Sequence, residues 1–161
     1  MAGSARQALL HGLALGFNVR SWHGPNLMAS LRGIDPATAV WRPQPGRHNI
    51  NELVVHAAYW KYRLCRLLTG DDLEFELPGS DFFPRNVAPT PQAWRADVAL
   101  LRQWHAALVA AADAVPERRL ATPSDHAPFT IGELLHGAAA HDLYHAGQIQ
   151  MLKRMYRANR G

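Results

Sequence analysis

Residues 130–157, TIGELLHGAAAHDLYHAGQIQMLKRMYR, decide the fold that this sequence predicts. Thr130 and Glu133 have the spacing of a capping box, which satisfies the first free N–H groups of a helix. At 100° per residue, the segment that follows carries an apolar stripe along one side. The residues within about 60° of His141 are Leu134, Ala138, His145, Gln148 and Leu152. The segment therefore predicts a long helix with two histidines, His141 and His145, inside its buried stripe.

Start and stop signals divide the rest of the chain into further helices. The start signals are Ser4 with Gln7, Asn49 with Glu52, and Thr90 with Pro91, and Gly70 and Pro116 are the stop signals of the last two of these helices. Pro25 and Gly33 are expected to begin and end a shorter helix, and Asp35 to start a helical turn. LEFEL at 73–77 alternates, but it is too short and isolated to predict a sheet. We therefore predict an all-α protein with four main helices.

The connector between the second and third main helices is informative. It contains about twenty residues, DDLEFELPGSDFFPRNVAPT, whereas a tight hairpin between antiparallel neighbours needs only a few. An extended chain of this length can cross back over a helix about 30 Å long. This favours a crossover that leaves the second and third helices parallel, in a four-helix bundle. Phe75, Phe82 and Phe83 indicate that the connector packs against the bundle.

Length and composition fit one soluble domain spanning residues 1–161. The chain has 161 residues, of which 48% are hydrophobic and 19% charged. No apolar run approaches the ~20 residues that a membrane span requires. The first residues, MAGSARQALLHGLALGF, lack a convincing cleavage site and are interrupted by polar side chains, so we interpret them as a helix. We expect a cytoplasmic protein.

Cysteine content and net charge limit the kinds of site and partner that the sequence allows. The single cysteine, Cys65, excludes an intrachain disulfide and a cysteine-based zinc site. The net charge of +4 permits nucleic-acid binding, but the sequence has no helix-turn-helix signature, aromatic RNA-binding box or glycine-rich phosphate loop. We therefore expect no nucleic-acid partner. The basic tail KRMYRANRG is interpreted as a solvated helix end, where lysine and arginine complement the helix dipole.

The histidines are candidate metal ligands. His141 and His145 are one turn apart, a geometry that suits a divalent metal, although a pair of core histidines bonded to side chains or water is an alternative. His56 lies on the stripe of the second main helix with Leu53, Trp60 and Leu67, so it too points inward. Three imidazoles leave a coordination position open. Zn²⁺ is the first expectation, and imidazole also accepts Ni²⁺, Fe²⁺ and Mn²⁺.

The other histidines and Cys65 are less favourably placed to bind a metal together with His56, His141 and His145. His136 falls about 140° from His141 and is expected to be exposed, and Cys65 is about 180° from His56 around its helix. His105 lies near the edge of its stripe and is interpreted as a core or boundary histidine, with a place beside the site as the alternative. His11, His23, His48 and His126 receive no role.

Three stretches together resemble a known family. They are WHGPNLMASLRGI at 22–34, WRPQPGRHNINELVVHAAYWK at 41–61 and AAHDLYHAGQIQMLKR at 139–154. They look like the DinB/YfiT-like superfamily of small bacterial metalloproteins, over most of the chain. The resemblance implies an up-down-down-up four-helix bundle, a divalent metal on His56, His141 and His145, and a homodimer. It does not fix the reaction, because relatives include thiol-S-transferases, isomerases and apparent hydrolases.

Three functions are therefore consistent with a three-histidine metal site. In a thiol transferase, the metal would bind a low-molecular-weight thiol as thiolate and lower its pKa. In a hydrolase it would acidify a bound water, with Glu52 as the best candidate base, although the cap of Asn49 is its more ordinary role. Asp142 is expected to be a surface or outer-shell group. The third function is metal binding without catalysis. A deep pocket lined by Tyr59, Trp60, Tyr144 or Phe82–Phe83 would indicate a small-molecule substrate.

Overall fold

The computed structural model describes residues 4–85, 90–124 and 128–160. Within these ranges the chain is helical and has no β-strand. The helices are α1 (Ala5–Phe17), α2 (Leu27–Ser30), α3 (Pro36–Val40), α4 (Ile50–Thr69), α5 (Pro91–Ala114) and α6 (Ile131–Ala158), with a 3₁₀ turn at Glu117–Arg119. The prediction of an all-α protein with four long helices is confirmed.

The predicted capping residues begin the four long helices. Ser4, Asn49 and Thr130 each form a complete capping box with the residue three positions later. The Thr90 side chain accepts a hydrogen bond from the N–H of Ala93. Gly70 ends α4 in the left-handed conformation, with a φ of 74°, as its predicted stop required. These local signals depend on neighbouring residues only, which is why the sequence shows them directly.

One predicted helix start is wrong. Pro25 was expected at the first helical position, but α2 begins at Leu27 with Asn26 as its N-cap. The Asn26 side chain accepts a hydrogen bond from the N–H of Ala29 at 2.9 Å and donates one to the carbonyl of Val19 at 2.8 Å. The asparagine therefore provides the cap, and the proline lies just before it.

Contacts show that α4 and α5 run in the same direction. Asn51, near the start of α4, donates a hydrogen bond to Asp97, near the start of α5, at 2.8 Å. Farther along both helices, the rings of Tyr62 and Trp104 have centroids 5.0 Å apart. Both residues of the second contact lie later in their helices than those of the first, so the two helices are parallel.

The remaining contacts orient α1 and α6. His56 of α4 lies beside His145 of α6, and Lys61, later in α4, contacts Asp142, earlier in α6, so these helices are antiparallel. Leu9 and Gly132 share a groove near the starts of α1 and α6, and Gly16 meets Ala139 farther along, so these two are parallel. The four long helices therefore run up, down, down and up.

The core is divided along the bundle. The larger cluster surrounds α4 and includes Val54, Val55, Leu101 and Ile149, all essentially inaccessible to solvent. The smaller cluster joins α1 to the second half of α5 and the first turns of α6 through Leu13, Leu108 and Leu135. At Gly16 an added Cβ would lie 2.8 Å from the carbonyl oxygen of Ala139, so only glycine permits this approach of α1 to α6.

The connector after α4 packs against the bundle, as its aromatic residues predicted. Phe75 and Phe83 each have ring centroids 5.3 Å from that of Tyr59. Glu76 accepts hydrogen bonds from the indole N–H of Trp104 and the side chain of Gln103. The described part of the connector is therefore bound to both α4 and α5.

The basic tail is not uniformly solvated, which corrects the prediction from composition. Lys153 is buried, and its ammonium group donates to the carbonyls of Ser30 at 2.9 Å and Arg32 at 2.7 Å. The lysine thus satisfies carbonyls around the end of α2, and its positive charge is favourable there. The residues after it, 157–160, are exposed.

None of the helices in the described ranges combines the length and the apolarity that crossing a bilayer demands.

Candidate metal centre

Three imidazoles from two helices meet inside the bundle. The Nε2 atom of His141 lies 3.1 Å from Nε2 of His56 and 2.9 Å from Nε2 of His145. His56 and His145 are buried, and His141 is partly accessible. The antiparallel packing of α4 and α6 brings the middle of one helix opposite the middle of the other. His56, His141 and His145 are therefore placed together, where the sequence predicted convergence.

Asp81 orients the imidazole of His56. The Nδ1 atom of His56 lies 3.0 Å from the carbonyl oxygen of Asp81 and 3.3 Å from its Oδ1 atom. Both are acceptors, so Nδ1 carries the proton and Nε2 is left with its lone pair. Asp81 has a φ of 60°, an unusual value for a residue other than glycine, and its carboxylate also accepts the indole N–H of Trp60. The connector thus holds one candidate ligand, His56, in the tautomer that metal binding would require.

Gln148 does the same for His145. Its Oε1 atom lies 2.7 Å from Nδ1 of His145, one turn along α6. The amide oxygen accepts the Nδ1 proton, so the lone pair is again on Nε2. A hydrogen bond to the outer nitrogen is the usual support of a metal-bound histidine.

The electrostatics keep the three rings neutral. Burial, assisted by the neighbouring imidazoles and Lys61, lowers the pKa of His141 to about 3. Burial lowers the pKa of His145 to about 4, and it also lowers that of His56. Neutral imidazole is the form that binds metals. Because these rings are already neutral at pH 7, metal binding would not first require removal of a proton from an imidazolium.

The donor set fits a divalent cation. Two unprotonated nitrogens, those of His56 and His145, face His141 Nε2, which can donate only one hydrogen. Nitrogens on a tetrahedral zinc with bonds of about 2.0–2.1 Å lie about 3.3 Å apart, close to the separations seen here. The candidate ligand atoms all lie within 4.8 Å of one another. The group could therefore hold a metal ion.

A pocket opens directly beside the histidines. It has a volume of about 700 Å³, lies between α4 and α6, and includes His56 and His141 in its wall. Trp60 and Phe129, which are 45% and 52% exposed, also line it. Of the aromatic residues expected at such a pocket, Trp60 is present, whereas Tyr59, Tyr144, Phe82 and Phe83 are not among its lining residues. Phe82 instead stacks between His48 and His56, with centroid distances of 3.7 and 4.0 Å.

A buried ion pair lies behind the pocket. Lys61 donates to both carboxylate oxygens of Asp142 at 2.7 Å, and the two side chains are 3% and 0% exposed. Burial raises the pKa of Asp142, and the ammonium of Lys61 opposes that shift. Of the two positions expected for Asp142, at the surface or in the outer shell of the site, the first is wrong. The helical wheel located Asp142 about 100° from His141 but could not show that a lysine of another helix meets it there.

Glu52 is placed in a structural network rather than in the pocket wall. Its carboxylate forms an ion pair with Arg42 and accepts the backbone N–H groups of Asn49 and Arg85, while His48 lies at 3.2 Å. Burial alone would raise its pKa, but these hydrogen bonds lower the pKa below the usual value. Glu52 does not line the pocket, so its candidacy as a base is not supported.

Among the described residues, the remaining histidines and Cys65 lie outside the candidate metal centre. His105 is buried and stacks on Phe17 at 3.5 Å, so the interpretation as a core histidine is confirmed. His136 is exposed, as predicted. Cys65 is buried outside the histidine group. His126 lies outside the described residues. Asp81 and Lys61 are site residues that sequence reasoning missed. No helical periodicity places Asp81, a residue of an irregular connector.

A comparison with protein-family models found one that is described as the DinB superfamily and matches residues 21–149. The chain belongs to the DinB superfamily. The match contains α2 to α5 and the part of α6 that carries His141 and His145. Searches among curated proteins and solved structures found no match. Any inference about the reaction of this DinB-superfamily protein therefore rests on its own residues.

Proposed function

We propose that this protein is a divalent-metal-dependent enzyme that transfers a low-molecular-weight thiol, with His56, His141 and His145 as the metal ligands. The observation that carries the proposal is the histidine group in the wall of a 700 Å³ pocket. A site that only stores or senses a metal needs no adjoining space of this size, which is within the range of small-molecule sites.

The chemistry of the ligands favours a thiol. A zinc ion held there would supply Lewis acidity and lower the pKa of a thiol placed beside it, making that thiol nucleophilic at neutral pH. Three neutral imidazoles provide no negative charge, so an anionic soft ligand complements them. In the overall reaction a sulfur–carbon bond forms, and the thiol proton goes to the displaced group or to the product carbon.

The protein's own residues would set the geometry of this site. Asp81 and Gln148 fix the orientation of His56 and His145 through their outer nitrogens. Trp60 is held by its hydrogen bond to Asp81, so its indole forms a fixed part of the pocket wall. A substrate that fills the pocket would exclude water from its apolar lining on α4 and α6 and so strengthen electrostatic interactions inside.

Hydrolysis receives less support. It generally requires a carboxylate base near the metal, and the carboxylate of Glu52 is committed to Arg42, His48 and backbone N–H groups. Asp81 does line the pocket, but its Oδ1 atom accepts the Trp60 N–H and its carbonyl holds His56. Its contacts indicate a positioning role.

A metal analysis and a conjugation assay test the proposal together. Protein purified without a histidine tag should contain about one zinc or another divalent ion per chain. It should conjugate an electrophile such as monochlorobimane to bacillithiol, mycothiol, glutathione or coenzyme A in a metal-dependent manner. Absence of metal-dependent turnover with all four thiols would contradict thiol transfer.

Two histidines of α6 provide a test variant, at His141, and its matched control, at His136. His141→Ala should lose both the metal and the activity, because it removes the nitrogen shared by the two short contacts. His136→Ala, an exposed histidine of the same helix, should retain both. Equal metal content in the two variants would exclude His141 as a ligand.

We also propose that the protein is a homodimer. Trp22 is 97% exposed, and the side chains of Tyr144, Met151 and Met155 are exposed along one side of α6. His23 and Met151 line a common groove, so the loop around Trp22 adjoins this face. Contiguous apolar surface of this kind is typical of interaction sites. Light scattering should give twice the chain mass at micromolar concentration and the monomer mass for Trp22→Ser/Met151→Ser; a monomeric native chain would contradict the proposal.

A further inference from the structure

The pocket beside the histidines is an elongated groove. On α4 its wall runs from His56 through Trp60 and Leu64 to Leu67, and on α6 it runs from His141 back to Leu134. Eleven residues of helix separate His56 from Leu67, which corresponds to about 16 Å at 1.5 Å per residue. The antiparallel helices therefore form a groove with the histidines at one end.

The floor of the groove is apolar away from the histidines. Leu64 and Leu67 face Leu134 and Ala138 across it, and Phe129 adds an aromatic ring near the far end. Phe129 is 52% exposed and Trp60 is 45% exposed, although large aromatic side chains generally gain free energy from burial. A ligand in the groove would cover both rings.

The charged residues of the lining other than Arg63 already have charged or polar partners. The Glu133 carboxylate accepts the N–H and the hydroxyl of Thr130. Lys61 is bound to Asp142, and the Asp81 carboxylate accepts the indole N–H of Trp60. Arg63 is at the exposed rim and donates to Tyr59. Burial of a charged ligand group without a partner is unfavourable, so the interior suits an uncharged molecule.

We propose that the groove binds the second substrate of the enzyme, and that this substrate is an elongated, uncharged, mainly apolar small molecule. Its reactive group lies at the end near His56 and His141, and its apolar body extends along Leu64, Leu67 and Leu134. The assignment of a reaction to the bound molecule rests on the proposed thiol transfer. The binding preference does not, because it follows from the groove itself.

Binding can be measured with a neutral apolar dye, N-phenyl-1-naphthylamine, on the full chain with and without zinc. We expect saturable fluorescence enhancement with one dye per chain in both states. Straight-chain primary alcohols should displace the dye, with about fourfold tighter binding for each added methylene until the groove is filled. Absence of saturable binding, or alcohol affinities that do not depend on chain length, would overturn the proposal.

Two helical glycines give matched variants. A Cβ at Gly137, in the groove wall, would meet nothing within 4 Å, so Gly137→Leu should fill the groove and weaken dye binding at least tenfold. Gly12 of α1 is equally unhindered and lines a different groove, so Gly12→Leu should change binding less than twofold. Both variants gain helix propensity, and thermal melting followed by circular dichroism should show that both remain folded.

The outcomes separate this inference from the proposed function. Dye loss in Gly12→Leu rather than in Gly137→Leu would place the apolar site in the other groove and overturn the inference. Unchanged thiol conjugation by Gly137→Leu would also overturn it while leaving thiol transfer intact. Dye and alcohol binding as expected, without any thiol turnover, would support the groove and contradict only the transfer reaction.

Discussion

Gln148 shows how a residue that touches no metal can decide whether one binds. It holds the Nδ1 proton of His145, which leaves Nε2 as the free donor. Asp81 has the same effect on His56 through its backbone carbonyl. The Nε2 lone pairs of these two candidate ligands therefore depend on acceptors behind the rings.

Replacement of Gln148 should weaken metal binding without removing a ligand. We expect Gln148→Leu to lower zinc affinity by about 10- to 100-fold, because the outer hydrogen bond that fixes the tautomer is lost. Gln148→Glu retains an acceptor and should bind zinc at least as tightly as the native protein. Competition with a chromogenic chelator measures both affinities, and equal affinity of Gln148→Leu and the native chain would contradict this role.

Glu52 predicts a pH dependence of stability. Its folded-state pKa is below its usual value, so its contribution is present above about pH 4.5 and is lost as the pH falls through the folded pKa. Glu52→Gln should lower the free energy of unfolding by about 1–3 kcal/mol at pH 7. The difference from the native protein should shrink as the pH falls below about 4.5, measured by urea unfolding on the order of every half pH unit.

A carboxylate without such contacts provides the control. Glu74 is exposed in the connector, and Glu74→Gln should leave both the stability at pH 7 and its pH dependence close to those of the native chain. A pH profile of Glu52→Gln that runs parallel to the native one would show that Glu52 does not titrate at a shifted pKa.

Between elements, the Lys61–Asp142 pair connects α4 to α6 beside the histidines, since Lys61 is five residues after His56 and Asp142 directly follows His141. Both groups are inaccessible to solvent, so loss of one partner leaves the other charge buried without compensation. The cation also contacts the ring of Phe17 at 5.3 Å from its centroid, which brings the end of α1 into the same cluster.

A double-mutant cycle should reveal the coupling of this pair. Lys61→Met alone should destabilise the fold by about 3–5 kcal/mol, whereas Lys61→Met/Asp142→Leu should recover most of that loss. Chemical unfolding measures both. Arg66→Met, which breaks the exposed pair of Arg66 with Asp72 and a hydrogen bond to the Tyr62 hydroxyl, should cost far less than Lys61→Met. Additive losses in the double variant would contradict the coupling.

The elements differ in how far their sequence predicts them. Asn49 and Thr130 identified helix starts because a capping box is complete within four residues. The inward direction of His141 and His145 followed from helical periodicity. Lys61 and Lys153 could not be found in this way, since lysine is usually exposed and the partner of each is distant in the chain. The partner of Lys61 is Asp142, and those of Lys153 are two carbonyls around the end of α2.

For the whole molecule, metal binding should be linked to folding. The ligands come from α4 and α6, so a bound ion can join these helices only in the folded state. The free energy of unfolding should rise with free zinc, by about 2.7 kcal/mol at one hundred times the dissociation constant.

Differential scanning fluorimetry with increasing zinc measures this linkage. The Tm of the native chain should rise with zinc concentration, that of His136→Ala should follow it, and that of His145→Ala should not respond. A native Tm that is independent of zinc would contradict a folded-state site. This test needs no substrate and therefore examines the centre independently of any reaction.

The buried ammonium of Lys153 has a consequence for where the chain can be shortened. It fills the hydrogen-bonding needs of two carbonyls more than a hundred positions earlier in the chain, around the end of α2. A truncation after the histidines, before residue 153, would strip these oxygens of their donor and release the α2 corner to solvent and proteases. A fusion partner attached beyond residue 160, where the helix end is exposed, would leave that corner untouched.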